Sequence, residues 1–264
     1  MSEFEVVVFF VSLLFLLKSW GAWYGDVFTV NDFLVAPRQV FVLLTTPLFC
    51  LALLLVCLLT LAATTVRREF SYVAFYVVCG MAWLGGMKYV FPFLGISSRD
   101  DVLERGNVAA CWATAGALLG SLCTFAGANI GNGPGCEVVL FSAVLSSALF
   151  FGVWLGLECG TRISETITVD RATGAGIRLG GFLVGVGILS GWSVAGNWVS
   201  ARDTLKDFAI SLWPAICIGE LAILVERLRA RTQFDDAEVG VSMLVATLYA
   251  GLALLWALAR GVHS

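Results

Sequence analysis

The sequence carries little charge and almost no histidine. Only 13% of its 264 residues are Asp, Glu, Lys or Arg, whereas a soluble domain carries about 25%. His263 is the single histidine, so haem ligation, zinc hydrolysis and a histidine-based triad have no candidate residues. No GxxxxGKS or GxxxxGKT stretch is present, which excludes a P-loop motor. We therefore expect no catalytic residue, no metal, no cofactor and no enzymatic activity.

Two further features are missing, a basic surface and paired cysteines. The net charge is −3 and the sequence pI is about 5.2, so we expect no nucleic-acid partner. The eight cysteines form no CxxC pair and lie in or beside apolar segments, where cysteine packs as a small apolar residue. Cys123 and Cys136 flank one loop and are the only pair for which we consider a disulfide.

Apolar residues are abundant, at 59% of the chain, and the mean hydropathy is +0.91. A helix needs about 20 apolar residues to cross a bilayer. Eight segments approach or reach that length: Phe4–Trp23, Val40–Val66, Phe70–Val90, Val108–Ile130, Val138–Leu157, Ala175–Val199, Phe208–Val225 and Val239–Ala259. The prediction is an all-α, polytopic transmembrane helix bundle of about eight spans.

Basic residues predict the orientation of these spans. One side of the predicted topology collects Lys18, Arg38, Lys88, Arg99, Arg105, Arg162, Arg171, Arg178, Arg227, Arg229 and Arg231. The other side has Arg67, Arg68, Arg202, Lys206 and Arg260. The positive-inside rule places the richer side in the cytoplasm, so both termini are predicted to lie outside. Lys88 and Arg178 lie near span ends, where an interfacial anchor is the usual role.

Small residues recur at a fixed interval of 65 positions. Gly116 and Gly120 are followed by Gly181 and Gly185, and then by Ala246 and Ala250. Small residues four apart let membrane helices approach closely, so these six positions are predicted to pack helices together. The interval predicts tandem two-helix repeats in parallel orientation. Their boundaries are 70–135, 136–201 and 202–264, and residues 1–69 form two N-terminal spans that are a possible degenerate copy.

The segment before Gly116 shows a helix-start pattern. Ser98 and Asp101 have the spacing of a capping box. We therefore predict a helix that begins here in the cytoplasm and continues without a break into the apolar span.

The same segment resembles a known family. SRDDVLERGNVAACWATAGALLG, followed by a second span pair and ATGAGIRLGGFLVGVGI, is similar to the bacterial inner-membrane proteins of the domain of unknown function 350 family. Asp100, Asp101, Asn107 and Ala110 match the family motif, whereas Ala172 replaces the asparagine in the second copy. The resemblance covers about Phe70 to Trp198. It implies a multi-span protein of the bacterial inner membrane without an assigned reaction, with partners in envelope stress for some members.

Two charged residues stand out within the spans. Glu220 follows Pro214 by six positions, and a carboxylate at that depth is costly unless it is paired, protonated or facing water. One interpretation is a proton or cation site, with Pro214 opening the backbone nearby, and the other is a structural acid between repeats. Arg178 is either Glu220's partner or a side chain that reaches the membrane surface.

Two functions follow from these patterns. The first is a non-enzymatic structural or accessory subunit that contacts the lipid bilayer and assembles as a homo-oligomer or with other membrane subunits. The second is an ion channel or a proton- or cation-coupled carrier that uses Glu220. The recurrent packing signal, the small loops and the missing catalytic groups favour the first.

Overall fold

The computed structural model describes residues 2–29, 37–232 and 239–261, and most of this part is helical. Its α-helices are α1 (Glu3–Thr29), α2 (Pro37–Thr60), α3 (Thr64–Arg68), α4 (Phe70–Met87), α5 (Val108–Ala128), α6 (Cys136–Thr161), α7 (Ile163–Thr168), α8 (Thr173–Trp192), α9 (Ala201–Ser211), α10 (Trp213–Thr232) and α11 (Val239–Arg260). A 3-10 turn (Phe91–Leu94) and a π-helical segment (Ser98–Glu104) lie between α4 and α5.

Eight stretches are long and apolar enough to cross a membrane, which confirms the predicted number of spans. They are α1, α2, α4, α5, α6, α8, α11 and the stretch 201–230, which contains α9 and most of α10. The outer faces of the bundle carry large apolar side chains, as expected where lipid replaces water. Examples with more than half of their surface exposed are Phe10, Leu14, Leu17, Leu248, Leu255 and Leu258.

The seventh span differs from its predicted limits, Phe208–Val225. The helix is interrupted at Leu212: α9 ends at Ser211, and α10 runs from Trp213 to Thr232. Pro214 lies in the first turn of α10, where its missing N–H costs no helical hydrogen bond. It therefore begins the helix and does not open its backbone near Glu220.

Helices α5 and α8 form the centre of the bundle. Most of each helix is buried, and they pack along most of their length. Helix α2 packs on α5 from one side and α11 packs on α8 from the other. The remaining long helices form a second row in which the spatial order is also the order along the chain. In this row α1 packs on α4, Trp83 of α4 donates to Ser147 of α6 (3.2 Å), and α6 packs on α10.

Neighbouring helices of the central row run in the same direction. Gly116 and Gly127 of α5 lie against Gly180 and Gly191 of α8, so residue numbers rise together along both helices. Between α8 and α11, Gly181 lies against Ala246. Farther along the same pair, the Trp192 indole donates to the Gly261 carbonyl (2.7 Å). These contacts join positions 64 to 69 residues apart, close to the sequence interval of 65, and the tandem-repeat origin of that interval stays a prediction.

Candidate functional site

The family-motif segment forms two separate helix starts. Ser97, one residue earlier than predicted, caps the π-helical segment by accepting from the Asp100 N–H (3.1 Å), and its own N–H donates to Asp101 (2.8 Å). The segment ends at Glu104, and Gly106 follows with φ of 63°. The prediction of one continuous helix from Ser98 is therefore wrong, because a left-handed residue cannot continue an α-helix.

Asn107 begins the next helix. Its side-chain oxygen accepts from the Ala110 N–H (3.2 Å), and its amide donates to the Ile167 carbonyl at the end of α7 (2.7 Å). Asn107 is only 1% exposed and Ala110 is fully buried. At the corresponding start of α8, Ala172 provides no side-chain cap. The motif residues thus have structural contacts, since they cap α5 and tie it to α7.

The small residues of the predicted packing set lie at two helix junctions. A Cβ atom at Gly116 would overlap the Gly180 backbone, and one at Gly120 would overlap the Leu183 carbonyl, so both positions require glycine at the α5–α8 contact. Gly181 faces Ala246 across the α8–α11 contact, and a Cβ at Gly185 would lie 2.8 Å from the Tyr249 carbonyl oxygen. Ala250, one residue farther along α11, is partly exposed.

Arg178 makes the strongest polar contact within the spans. Its Nε and Nη2 atoms each donate to a carboxylate oxygen of Glu226 at 2.7 Å, and its Nη1 donates to the Ser242 hydroxyl at 2.9 Å. The arginine is 1% exposed and the Glu226 side chain 11% exposed. Arg178 therefore neither reaches the membrane surface nor pairs with Glu220. Its bidentate ion pair with Glu226 joins α8 to α10, and its hydrogen bond to Ser242 joins α8 to α11.

Glu220 is exposed on α10. Ile218, two residues before it, lies 3.4 Å from a Cβ built on Gly185, in the interior of α8. Glu220 is therefore well inside the apolar thickness, yet it points away from the bundle. Its neighbours on that exposed face of α10 are Trp213, Ile216, Leu224 and Leu228.

The two lysines near the α1–α4 contact have different surroundings. Lys18 is exposed on α1. Lys88, which follows α4, donates to the Ser19 carbonyl (2.7 Å) and lies 5.1 to 5.5 Å from the ring centres of Trp20, Trp23 and Tyr89. Burial lowers the pKa of the Lys88 ammonium to about 8, and the charge of Asp26 works against this shift. Lys88 is thus held within the protein by a carbonyl and aromatic rings and is not only an interfacial anchor.

A pocket of about 360 Å³ opens at the end of the bundle where α1 begins. Three connecting segments meet there, 62–72, 128–139 and 193–207, together with the first turn of α1. The loops are tied to each other, because Asn197 accepts from the Asn132 N–H (3.0 Å) and the Trp198 N–H donates to the Asn132 carbonyl (2.8 Å). The volume lies within the range of small-ligand sites.

Polar groups converge on this pocket. The charged residues of its lining are all acidic, Glu5, Glu69 and Asp207. Ser142 and Asn129, 4% and 7% exposed, also line it. Asn129 donates to the Phe125 carbonyl (2.8 Å), while the Ser142 hydroxyl makes no hydrogen bond to another of the described residues. The pocket therefore offers oxygen acceptors and negative charge.

Sequence reasoning missed Glu226, Ser242 and the pocket. Glu226 lies 48 residues from Arg178 in the sequence, so their pairing has no local signal. Glu220 is closer to the middle of the span and was therefore the predicted intramembrane acid. The pocket had a usable signal, since Asn132 and Asn197 are 65 residues apart, the interval of the small residues. The considered Cys123–Cys136 bridge is not formed, and all eight cysteines are free.

Eight candidate spans with large apolar side chains on the outside define a multi-pass membrane protein. The chain belongs to the Domain of Unknown Function family DUF350, whose model matches residues 39–194. The match starts in α2, whereas the resemblance predicted from the sequence starts at Phe70, and it ends just after α8. No curated protein and no solved structure matches the chain.

Proposed function

We propose that the chain is a non-enzymatic structural subunit that assembles with further copies of itself in the membrane. The observation that carries this proposal is the exposed carboxylate of Glu220 within the apolar part of α10. A charged side chain at the centre of a membrane helix costs about 3 kcal/mol on insertion scales. A neighbouring polypeptide that supplies a hydrogen-bond donor removes this cost, and polar side chains do join membrane helices in this way.

The order of the helices supports a second copy as that neighbour. The helices α1 and α2 lie at one end of the packing order and α10 and α11 at the other, and the two sets make no extensive contact with each other among the described residues. Helix α1 exposes Lys18 and helix α10 exposes Glu220. An assembly of copies end to end brings these two surfaces of opposite charge together, as a heterologous interface that closes into a ring or continues.

The carrier alternative uses the same carboxylate differently. A conduit through one chain requires Glu220 to face the interior, but the interior of the bundle is filled by the α5–α8 contact and Glu220 faces outward. A path that includes Glu220 therefore has to form between copies. The structural role needs no such path and accounts for the same residue.

The experiment is a measurement of subunit number for the full chain in bilayer nanodiscs or mild detergent, by light scattering or photobleaching steps. The wild type is expected to be oligomeric, and Glu220→Leu is expected to shift it toward monomer. Leu155→Ala, which changes an exposed residue of α6, is the matched control and is expected to have no effect. A monomeric wild type, or an unchanged oligomer in Glu220→Leu, contradicts the proposal.

Lys18 has its own test. Lys18→Glu is expected to weaken assembly, and combining it with Glu220→Lys is expected to restore it if the two side chains meet across the interface. The envelope-stress setting implied by the family resemblance is a separate proposal. Co-purification of the chain from a mild extract of stressed and unstressed cells tests it, and an identical set of partners in both speaks against it.

A further inference from the structure

We propose that the pocket between the connecting segments 62–72, 128–139 and 193–207 binds an organic ammonium group. The inference does not depend on self-assembly, because every lining residue belongs to one chain. It rests on the size of the pocket, the sign of its charge and the acceptors it leaves open.

The charge of the pocket selects for a cation. Glu5, Glu69 and Asp207 line it, and no Lys, Arg or His is among the lining residues. The adjoining α3 ends with two arginines, Arg67 and Arg68, neither of which lines the pocket, and Arg67 donates to the Thr60 carbonyl (3.3 Å). Glu5 is 7% exposed, and one of its carboxylate oxygens accepts from the Ser2 N–H (2.7 Å), which leaves the other oxygen available to a ligand.

The acceptors favour a ligand that donates hydrogen bonds. The hydroxyl of Ser142 makes no hydrogen bond in the described part of the chain, although the residue is only 4% exposed and lines the pocket. The amide of Asn129 uses its nitrogen for Phe125, so its oxygen remains an acceptor. An ammonium group has only donors and carries the positive charge that the three acids attract.

The lining also separates an organic cation from a metal ion. No group of three or more His, Cys, Asp or Glu side chains is close enough to hold a metal within the described residues. The volume of about 360 Å³ greatly exceeds what a bare ion occupies. Tyr72, Tyr76 and Trp198 add aromatic rings, which attract organic ammonium groups through their faces.

The position of the pocket at the helix ends admits two sources of this group, the amine of a lipid headgroup and a soluble polyamine. The first arm of the test measures spermidine binding by calorimetry to the full chain in an uncharged detergent. The second arm reconstitutes the chain in nanodiscs of phosphatidylglycerol with and without phosphatidylethanolamine, and native mass spectrometry counts the amine lipid retained.

Variants link either result to the pocket. Glu5→Gln is expected to weaken binding at least tenfold, and Ser142→Leu, which fills the pocket without changing its charge, is expected to abolish it. Glu3→Gln is the matched control, since Glu3 lies in the same helix turn but not in the pocket, and it is expected to leave binding unchanged. The thermal midpoint of each variant shows that it remains folded.

The outcomes are distinct. Spermidine binding that Ser142→Leu abolishes supports a soluble ligand, and retention of phosphatidylethanolamine that Ser142→Leu abolishes supports a lipid headgroup. Binding of neither amine to the wild type overturns the proposal, as does binding that Glu5→Gln and Ser142→Leu leave unchanged.

Discussion

The α5–α8 contact and the junction of α8 with the last hairpin achieve close packing by different chemistry. Between α5 and α8, glycine faces glycine, as in the pairs Gly116–Gly180 and Gly127–Gly191, and the two backbones touch. Between α8 and α11, Ala246 faces Gly181, so the closest approach includes a methyl group. At this second junction the Arg178–Glu226 ion pair and Ser242 join three helices.

This difference shows that helix contacts between positions about 65 residues apart can be stabilised by different residues. Where both helices present glycine, dispersion between backbones stabilises the contact, since lipid offers no hydrophobic driving force between helices. Where α11 has alanine, a buried ion pair adds specific hydrogen bonds. We therefore expect charge substitutions to act mainly at the second junction. Added volume is expected to act at both, since a Cβ at Gly181 would also overlap the Ala246 backbone.

The largest effect is expected from breaking the ion pair. Arg178→Leu leaves Glu226 as an unpaired, nearly buried carboxylate, and removing one member of a buried pair costs about 3 to 5 kcal/mol. Arg178→Leu combined with Glu226→Leu is expected to recover most of this loss, because neither charge of the pair remains. The measurement is the free energy of unfolding in detergent micelles. A loss below about 1 kcal/mol for Arg178→Leu contradicts the importance of the pair.

A smaller effect is expected from adding one methyl group at the first junction. In Gly116→Ala the new Cβ overlaps the Gly180 backbone, which cannot move as a flexible side chain does. Overpacking of this kind costs about 1 to 3 kcal/mol. Gly152→Ala on α6, where nothing lies within 4 Å of the new Cβ, is the control and is expected to be neutral or slightly stabilising. Equal destabilisation by both variants argues against a glycine-specific contact.

The N-termini of α5 and α8 differ in their capping residues, Asn107 and Ala172. Asn107→Ala removes the side-chain cap of α5 and its bond to Ile167, so a loss of about 1 to 2 kcal/mol is expected. Ala172 has the extended backbone of an N-cap residue without its side-chain bond. Ala172→Asn is therefore expected to stabilise the protein by about 0.5 to 1 kcal/mol, in the same unfolding measurement. Destabilisation by Ala172→Asn contradicts the expectation that a side-chain cap is all that the start of α8 lacks.

The smallest effect concerns Lys88, whose charge is held by a carbonyl and aromatic rings while that of Arg178 is held by a carboxylate. The pKa of Lys88 is lowered from 10.5 to about 8. Between these values the unfolded chain keeps a proton that the folded chain has released, so the contribution of Lys88 to stability rises with pH through this window. Reductive methylation with carbon-13 and NMR titration is the measurement, with Lys88→Arg to assign the signal. Titration of that signal near 10.5 contradicts the lowered pKa.

Much of the architecture was accessible from the sequence because membrane spans depend on local composition. The apolar runs alone predicted eight spans, and the motif around Asn107 predicted the family. Exact limits were less accessible, since the start of α10 depends on how the chain turns at Leu212 and Pro214. Gly106 likewise divides a segment that composition suggests is continuous.

The polar sites were accessible only in part, for a different physical reason. The partner of Arg178 depends on which face of α10 turns inward. That helix carries two acids, Glu220 and Glu226, and the sequence does not specify which of them faces α8. The pocket requires three connecting segments to meet in space. No single segment carries enough polar residues to indicate a binding site.

The most direct test of the parallel, close packing of α5 and α8 is disulfide formation between the loops that follow these two helices, in a chain whose native cysteines are replaced by alanine. The Asn132 and Asn197 side chains are in contact, so Asn132→Cys/Asn197→Cys is expected to cross-link readily. Asn132→Cys/Ala172→Cys, which joins opposite ends of the bundle, is expected not to cross-link. Cross-linking of the second pair, or none in the first, contradicts the shared direction of α5 and α8.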